Sequence, residues 1–275
     1  MILGSKKIPQ SLQKKLNLAG ISHIIAISGM HIVVISNLLL ALFSAFRFRR
    51  AKAAGLALIF IGLFIALTGF SASAVRAGLM GSLFLLAPVL GRSSDSLRSI
   101  LLAGLIMAAF NPFLIYDIGF QLSFLASLGI IFLNGFFLRK LAFVSNKFLT
   151  REILSSTASA YVFTLPILIY NFGQVSISGP LANILVLPVI APAMVLGFLA
   201  ATVSLISSLA GQILFYLPFI LLNYLILVAD ILSEAWMSFK TGGLHWSWPV
   251  FLYLAIIPAG YYFFKREKAC PKFLK

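Results

Sequence analysis

LNLAGISHIIAISGMHIVVISNLLLALFSAF, residues 16–46, decides the fold, because this stretch contains no Lys, Arg, Asp or Glu. A transmembrane helix needs about 20 predominantly apolar residues. Several apolar stretches of comparable length follow, and the whole chain is 61% hydrophobic and 10% charged, with a mean hydropathy of +1.07. The sequence therefore predicts an all-α polytopic membrane protein.

About nine apolar segments are predicted to cross the membrane, some of them as proline-broken or re-entrant helices. They cover approximately residues 20–46, 53–69, 73–90, 97–110, 118–138, 153–171, 180–208, 212–234 and 249–264. The stretch 171–192 carries three prolines. It fits either an exterior loop followed by one proline-kinked helix or a broken segment that lines a cavity.

The basic residues indicate the orientation of these segments. The net charge is +15, and most of the 21 Lys and Arg residues lie in alternate connections and in the tail. By the positive-inside rule this side is cytoplasmic. Residues 1–19 then form an exterior segment, residues 20–264 the membrane domain and residues 265–275 a basic cytoplasmic tail. Four lysines within residues 1–19 oppose this orientation, so either the count is off by one or upstream segments fixed the orientation.

Common enzymatic patterns are missing. The single cysteine, Cys270, excludes an intramolecular disulfide framework and a cysteine-based metal cage. Ile27-Ser28-Gly29 resembles the nucleophile turn of intramembrane serine proteases, but His245 lies in an exterior connection, where it cannot act as the base. The sequence has no phosphate loop of the Walker type and no ligand spacing typical of a metal site. We expect a protein without enzymatic activity, metal or cofactor.

Polar side chains within the apolar segments are the candidate functional residues, because such groups usually face a bundle interior or an aqueous path. They are His23, His31, Arg76, Asp117, Gln121, Asn183 and Asp230.

The two histidines lie eight residues apart in the first segment. On one continuous helix they would be about 12 Å apart along the axis and about 80° apart around it, so they could not share a metal ion. His23 fits an interfacial position and His31 a histidine that bonds a neighbouring helix carbonyl. Both also fit a polar strip along a path, where Ser28 and Gly29 would permit close approach of a helix or substrate.

The remaining candidates each have a structural and a functional interpretation. Arg76 either extends to the lipid headgroups or provides a fixed cation at the outer mouth of a path. Asp117 fits the N-cap of a helix, and Gln121, one turn later, fits a pore or partner contact. Asp230 lies near the exterior end of its segment, where it can be hydrated.

The order of several motifs resembles the membrane domain of ComEC-type competence proteins over nearly the whole chain. These motifs are LNLAGISHIIAISGMHI (16–32), FSASAVRAGLM (70–80), LGRSSDSLRSILLAGLIMAAFNPFLIYDIGFQLSFLASLGI (90–130), NFGQVS (171–176) and GPLANILVLP (179–188). The positions that match the family's motifs are His23, Ser28, Gly29, His31, Ser73, Arg76, Ala77, Gly91, Arg92, Asp95, Asn111, Pro112, Asp117, Gly119, Phe120, Gln121, Ser123, Pro166, Gly173, Pro180, Asn183 and Pro188.

This resemblance implies a bacterial inner-membrane channel through which one strand of external DNA enters the cytoplasm during natural transformation. The resemblance does not say which of the matched residues touch DNA. Our hypothesis for the channel or substrate path is His23, Ser28, Gly29, His31, Arg76, Asp117, Gln121 and Asn183. The resemblance assigns Asn111, Pro112, Gly119, Pro180 and Pro188 to structural motifs.

Family members commonly carry an exterior OB-like domain before this region and a metallo-β-lactamase-like domain after it, and neither pattern occurs in this sequence. The expected partners are single-stranded DNA, the lipid bilayer, separate OB-like and nuclease domains, a cytoplasmic DNA motor and a second copy of the chain. The alternatives are a secondary transporter or flippase with Asp117 or Asp230 as its coupling proton site, a structural subunit without a pore, and an inactive truncated fragment.

Overall fold

The structure is a computed structural model that describes residues 9–24, 29–91, 93, 95–144, 149–176, 178–233, 238–240 and 247–269. These residues form ten α-helices, two 3-10 helices (Ser22–Ile24 and Pro112–Tyr116) and two short strands. The α-helices are α1 (Gln10–Leu18), α2 (Gly29–Ala45), α3 (Arg50–Leu67), α4 (Ala72–Val89), α5 (Ser96–Phe110), α6 (Ile118–Lys140), α7 (Thr150–Phe172), α8 (Gly179–Ser204), α9 (Ser208–Leu232) and α10 (Ser247–Ala269). Strands β1 (Gln174–Ser176) and β2 (Ser238–Lys240) pair in antiparallel register.

The prediction of a helical, multi-pass membrane protein is confirmed. Each of the nine apolar segments coincides with one helix from α2 to α10, whereas α1 was not predicted as a helix. Five of the described helices, α4 and α6 to α9, are long and apolar enough to cross a membrane. Helices α2, α3 and α5 are apolar but shorter. The number of nine crossings stays a prediction.

Local capping explains several helix ends. Asp95 precedes α5, and its carboxylate accepts hydrogen bonds from the backbone N–H groups of Leu97 (3.0 Å) and Arg98 (3.3 Å). These two donors have no partner within the helix. Gly173, with φ +60°, ends α7 in the left-handed conformation that glycine adopts readily.

The first apolar segment, residues 20–46, includes a 3-10 turn as well as helix α2. Helix α1 ends at Leu18, a 3-10 turn follows at Ser22–Ile24, and α2 begins only at Gly29. Gly20 lies between α1 and this turn with φ +74°, and a Cβ at this position would approach Gly179 Cα to 2.8 Å. Because the chain bends and passes the start of α8 closely here, only glycine fits.

Helix α8 is continuous through Pro188 and Pro192, so the prediction of a proline-broken helix is wrong for this segment. Pro180 stands in the first turn, where its missing N–H is not needed. Further along, α8 packs extensively against α9, and the Tyr224 hydroxyl donates to the carbonyl of Leu185 at 3.4 Å. Packing against neighbouring helices helps membrane helices to tolerate proline. Helix α8 is thus one proline-containing helix, and the position of the preceding segment relative to the membrane stays a prediction.

Two antiparallel helix pairs, α6 with α7 and α8 with α9, form the most extensive contacts. A Cβ at Gly129 of α6 would overlap the carbonyl oxygen of Ser159, so α6 and α7 approach closely. Helix α10 packs along α6 and α7, and α2, α3 and α4 contact one another. Arg76 of α4 reaches Ser123 of α6, which connects the two parts of the molecule.

Candidate functional site

Arg76 lies buried where α4 packs against α6, with 8% of its surface exposed. Its Nε donates to Ser123 Oγ at 2.7 Å, and its Nη1 donates to Ser127 Oγ at 2.7 Å and to Met80 Sδ at 3.4 Å. The two serines face the same side of α6 because they are one turn apart. We call these four residues the Arg76 cluster. The prediction that Arg76 extends to the headgroups is wrong, because its guanidinium is directed onto α6.

The partners described for this guanidinium are two hydroxyls and a thioether, and none of them is a carboxylate. Hydroxyl oxygens satisfy the N–H donors but do not neutralise the positive charge. A cation without a counterion in a region of low dielectric constant attracts anions more strongly than one at a wet surface. The Arg76 cluster is therefore a candidate anion site within the helix bundle.

The start of α6 is organised by side-chain caps. Asn111 Oδ1 accepts from the N–H of Phe113 at 3.1 Å, which begins the 3-10 helix. Asp117 Oδ1 accepts from the N–H of Phe120 at 2.6 Å, so the prediction that Asp117 caps α6 is confirmed. A Cβ at Gly119 would lie 3.1 Å from that carboxylate oxygen, so a side chain at this position would crowd the cap. Pro112 opens the 3-10 helix at a position that needs no N–H.

Gln121 lies on the wall of an open pocket of about 360 Å³ between α6, α7 and α10. Its Nε2 donates to the carbonyl of Ile115 at 2.8 Å, which holds the amide at the pocket. The other pocket residues are aromatic, amide or apolar: Tyr116, Ile118, Ile167, Tyr170, Asn171, Pro249, Val250 and Tyr253. The pocket thus combines aromatic surfaces with two side-chain amides.

A second buried polar cluster surrounds the contact between Gly20 and Gly179. Ser176 Oγ donates to the carbonyl of Leu18 at 2.7 Å and lies 2.9 Å from Ser178 Oγ. Ser178 Oγ donates to the carbonyl of Leu232 at 3.2 Å, and the Tyr161 hydroxyl donates to the carbonyl of Ser176 at 2.7 Å. The Gly20–Gly179 cluster comprises Leu18, Gly20, Thr157, Tyr161, Ser176, Ser178, Gly179, Asn183 and Leu232.

This cluster lies beside the middle of α7. Asn183 Nδ2 donates to Thr157 Oγ1 at 3.2 Å, and a Cβ at Gly179 would lie 3.0 Å from the Tyr161 hydroxyl. The start of α8 is therefore level with the middle of α7 rather than with its end. Non-helical backbone at this level needs partners within the protein. The hydrogen bonds of Tyr161 and the two serines supply them, and Asn183 Oδ1 is buried without a partner among the described residues.

The remaining candidates occupy separate places. His23 lies in the 3-10 turn and His31 is buried in α2, so the spacing expected on one helix does not apply. Ser28 is outside the described residues, whereas Gly29 begins α2. Asp230 pairs with Lys15 at 2.9 Å, and both side chains are more than 40% exposed. Such exposed ion pairs contribute little to stability.

The structure unites some predicted residues and separates others. It places Gln121 one turn after Asp117, and it joins Arg76 to the motif residue Ser123. The described contacts do not join Arg76 to Asn183, and a path role for each predicted residue stays a prediction. Sequence reasoning missed Ser127, Thr157, Tyr161, Ser176 and Ser178. The spacing of Ser123 and Ser127 was a usable signal, because it places two hydroxyls on one helix face.

A family model described as "Competence protein" matches residues 1–266. This chain belongs to that family. The resemblance to competence proteins is thereby confirmed. This competence protein is 31% identical over 169 residues to "ComE operon protein 3" of Bacillus subtilis (strain 168). The match covers 62% of this chain and 21% of that relative, so the chain spans only a small part of the relative's length. No solved structure matches it.

Proposed function

We propose that this competence protein is the membrane channel part of a DNA-uptake apparatus, through which one strand of DNA crosses the bacterial inner membrane into the cytoplasm. The observation that carries the proposal is the buried Arg76, which is bonded to hydroxyls rather than to a carboxylate. Membership of the Competence protein family and the five helices able to span a membrane support it.

Arg76 is suited to transient contact with a phosphate. A phosphate oxygen accepts the same N–H donors that Ser123 and Ser127 now occupy, so it can replace the hydroxyls without leaving a donor unsatisfied. A channel needs binding that is favourable enough for entry yet weak enough for release, and one cation meets that requirement better than many. Because Arg76 is buried, α4 must separate from α6 before DNA reaches it.

The pocket beside Gln121 supports the same function. Single-stranded nucleic acid binds to aromatic side chains through base stacking, which tolerates any sequence. Tyr116 and Tyr170 are exposed at this pocket, and Asn171 and Gln121 add amide groups that can bond to base edges. Stacking at an open pocket would hold a strand loosely.

The experiment measures transformation frequency in a competent bacterium whose own channel gene is deleted. The bacterium receives this chain together with separately expressed OB-like and nuclease domains. We compare the parent chain with Arg76→Met, Arg76→Lys and, as a control, Arg151→Met. Arg151 is a second partly buried arginine, and its Nε donates to the carbonyl of Leu138 at 2.9 Å, far from the start of α6.

We expect Arg76→Met to lower transformation about tenfold or more at equal membrane abundance, because it removes the positive charge that would attract phosphate. Arg76→Lys should retain part of the activity, and Arg151→Met should act only through protein abundance. Equal transformation by the parent and Arg76→Met would exclude the cation role. A correctly inserted parent chain that restores no transformation would argue for an inactive fragment or another solute.

The partners follow from this proposal. The OB-like and nuclease domains, a cytoplasmic motor and a second copy of the chain would supply binding, strand processing and movement, and this chain would act without enzymatic activity. The described contacts do not favour a proton-coupled transporter. Asp117 caps α6, and Asp230 pairs with Lys15 at the surface. Asp117→Asn would abolish transport in a proton-coupled transporter, whereas the proposed channel should retain its activity.

A further inference from the structure

An apolar groove of about 300 Å³ runs between α6, α7 and α10. Its floor includes Gly260, where α10 packs closely on α6 and α7: a Cβ at this position would lie 3.1 Å from Phe163 Cζ and 3.3 Å from Phe132 Cβ. Its walls are Leu133, Phe136, Phe137, Val162, Ala255, Ile256, Ala259 and Phe263. These side chains are apolar without exception, and Ala255 and Ala259 are exposed. The groove therefore opens sideways from the helix bundle and suits a hydrocarbon chain.

Helices α6 and α10 run in the same direction along this groove. The starts of both helices line the pocket that contains Gln121, where Ile118 and Val250 lie together. Further along, the rings of Phe132 and Phe264 are 5.5 Å apart and those of Phe136 and Phe263 are 4.5 Å apart. The carboxyl ends of the two helices consequently lie at the same end of the groove.

Both helices place a cation where the groove ends. Lys140 follows Leu133, Phe136 and Phe137 at the spacing that keeps residues on one face of α6. Arg266 follows Phe263 by three residues, which places it on the groove face of α10. Both side chains are exposed. Arg139 and Lys265 stand next to them in the sequence and are also exposed.

We propose that this groove binds one anionic phospholipid, with an acyl chain along Ala255, Ala259 and Gly260 and the phosphate between Lys140 and Arg266. The distribution of charge along the groove favours an anionic phospholipid. The groove walls carry no charge, whereas the end of the groove carries exposed cations, and an anionic lipid has the same division into apolar chain and charged head. Basic sites between membrane helices on the cytoplasmic side bind anionic headgroups in this way.

The bound lipid would join α10 to the α6–α7 pair. Helix α10 already contacts this pair through the Phe132–Phe264 and Phe136–Phe263 ring contacts, and the Tyr253 hydroxyl donates to the carbonyl of Phe163 at 2.8 Å. An acyl chain in the groove would add van der Waals contacts with both sides, which is the main source of helix association within a bilayer. The proposal is independent of DNA uptake.

The test uses native mass spectrometry of the full chain released from nanodiscs that contain phosphatidylglycerol or phosphatidylcholine with identical acyl chains. We compare the parent with Lys140→Gln/Arg266→Gln and with Ala259→Phe, which fills the groove. The control is Arg47→Gln/Lys52→Gln, which removes one exposed cation from the connection between α2 and α3 and one from the first turn of α3.

We expect the parent to retain phosphatidylglycerol at least tenfold more than phosphatidylcholine. The Lys140→Gln/Arg266→Gln variant should lose most of this preference, because each cation near an anionic headgroup contributes about fivefold in affinity. Ala259→Phe should reduce retention of both lipids, and Arg47→Gln/Lys52→Gln should resemble the parent. Equal retention of the two lipids by the parent, or an unchanged preference after removal of Lys140 and Arg266, would overturn the proposal. A dimer of the parent that Ala259→Phe dissociates would assign the groove to a second copy of the chain instead.

Discussion

The Arg76 cluster and the Gly20–Gly179 cluster stabilise different kinds of buried polar group within one helix bundle. The first holds a full charge by side chains from two regular helices, α4 and α6. The second holds neutral, irregular backbone by hydroxyls from Tyr161, Ser176 and Ser178. The first can exchange its hydroxyl partners for an anion, whereas the second bonds to backbone carbonyls that cannot leave. Under the proposed function, Arg76 would contact the substrate, whereas the Gly20–Gly179 cluster would maintain the fold.

The largest expected effect comes from Gly20→Val. A side chain at φ +74° is strained, and its Cβ would lie within 2.8 Å of Gly179 Cα. Together these costs should lower the free energy of unfolding by about 2–5 kcal/mol. The thermal midpoint of unfolding in detergent measures the change. It is determined by size-exclusion chromatography of samples heated to increasing temperatures. Gly55→Val is the control, because nothing lies within 4 Å of a Cβ at that position. Equal thermal midpoints for the two variants would contradict the close contact.

The second largest effect on stability is expected from loss of the hydroxyl partners of Arg76. Ser123→Ala/Ser127→Ala removes both hydroxyl partners and leaves the buried guanidinium with unsatisfied donors, which should cost on the order of 3 kcal/mol. Adding Arg76→Met should restore much of that stability, because it removes the unpaired charge. The same unfolding assay on the parent, Arg76→Met, the double serine variant and the triple variant gives the coupling energy between Arg76 and the two serines. A triple variant that is less stable than the double variant would refute this account.

A moderate effect is expected from Tyr161→Phe. The change removes the hydrogen bond to the carbonyl of Ser176, 2.7 Å long, and should cost about 1 kcal/mol. Transformation frequency should fall only as far as membrane abundance falls, because the Gly20–Gly179 cluster maintains the fold. A transformation defect at full abundance would instead place this cluster in the DNA path.

The smallest effect is expected from Asn183→Leu. Asn183 has one described hydrogen bond, to Thr157, and its buried Oδ1 has no partner among the described residues. Replacing a half-satisfied amide by an apolar side chain of similar size should change the free energy of unfolding by less than about 1 kcal/mol. A loss of transformation with unchanged stability would support the hypothesis that Asn183 lies on the substrate path.

The sequence predicted the features that depend on residues close together in the chain. The nine apolar segments correspond to α2–α10, and Asp117 caps α6 as expected. A cap is formed with an N–H only three residues away, so its pattern can be recognised in the sequence. The bend at Gly20 could have been recognised from the same kind of signal, because Gly20 ends a lysine-rich, amphipathic stretch.

The sequence could not predict the contacts between distant segments. Arg76 and its serine partners are 47 and 51 residues apart, and nothing in the sequence pairs them. The prolines of α8 misled the prediction because their effect depends on whether neighbouring helices satisfy the freed carbonyls. Here α9 packs along α8, which remains one helix through Pro188 and Pro192. A break at the prolines was one of the two interpretations. The chain instead departs from helical structure near Gly20, between α1 and the 3-10 turn.

The Gly20–Gly179 cluster can be completed only late in biosynthesis. Ser176 and Ser178 bond to the carbonyls of Leu18 and Leu232, which lie at opposite ends of the chain. While the ribosome is still making α8, Leu232 has not been made, so the Ser178 hydroxyl does not yet have this carbonyl as its partner. The hydrogen bond of Ser178 can form only after Leu232 has been made, so we expect protease to cut a chain arrested before Leu232 more readily near Ser176 and Ser178.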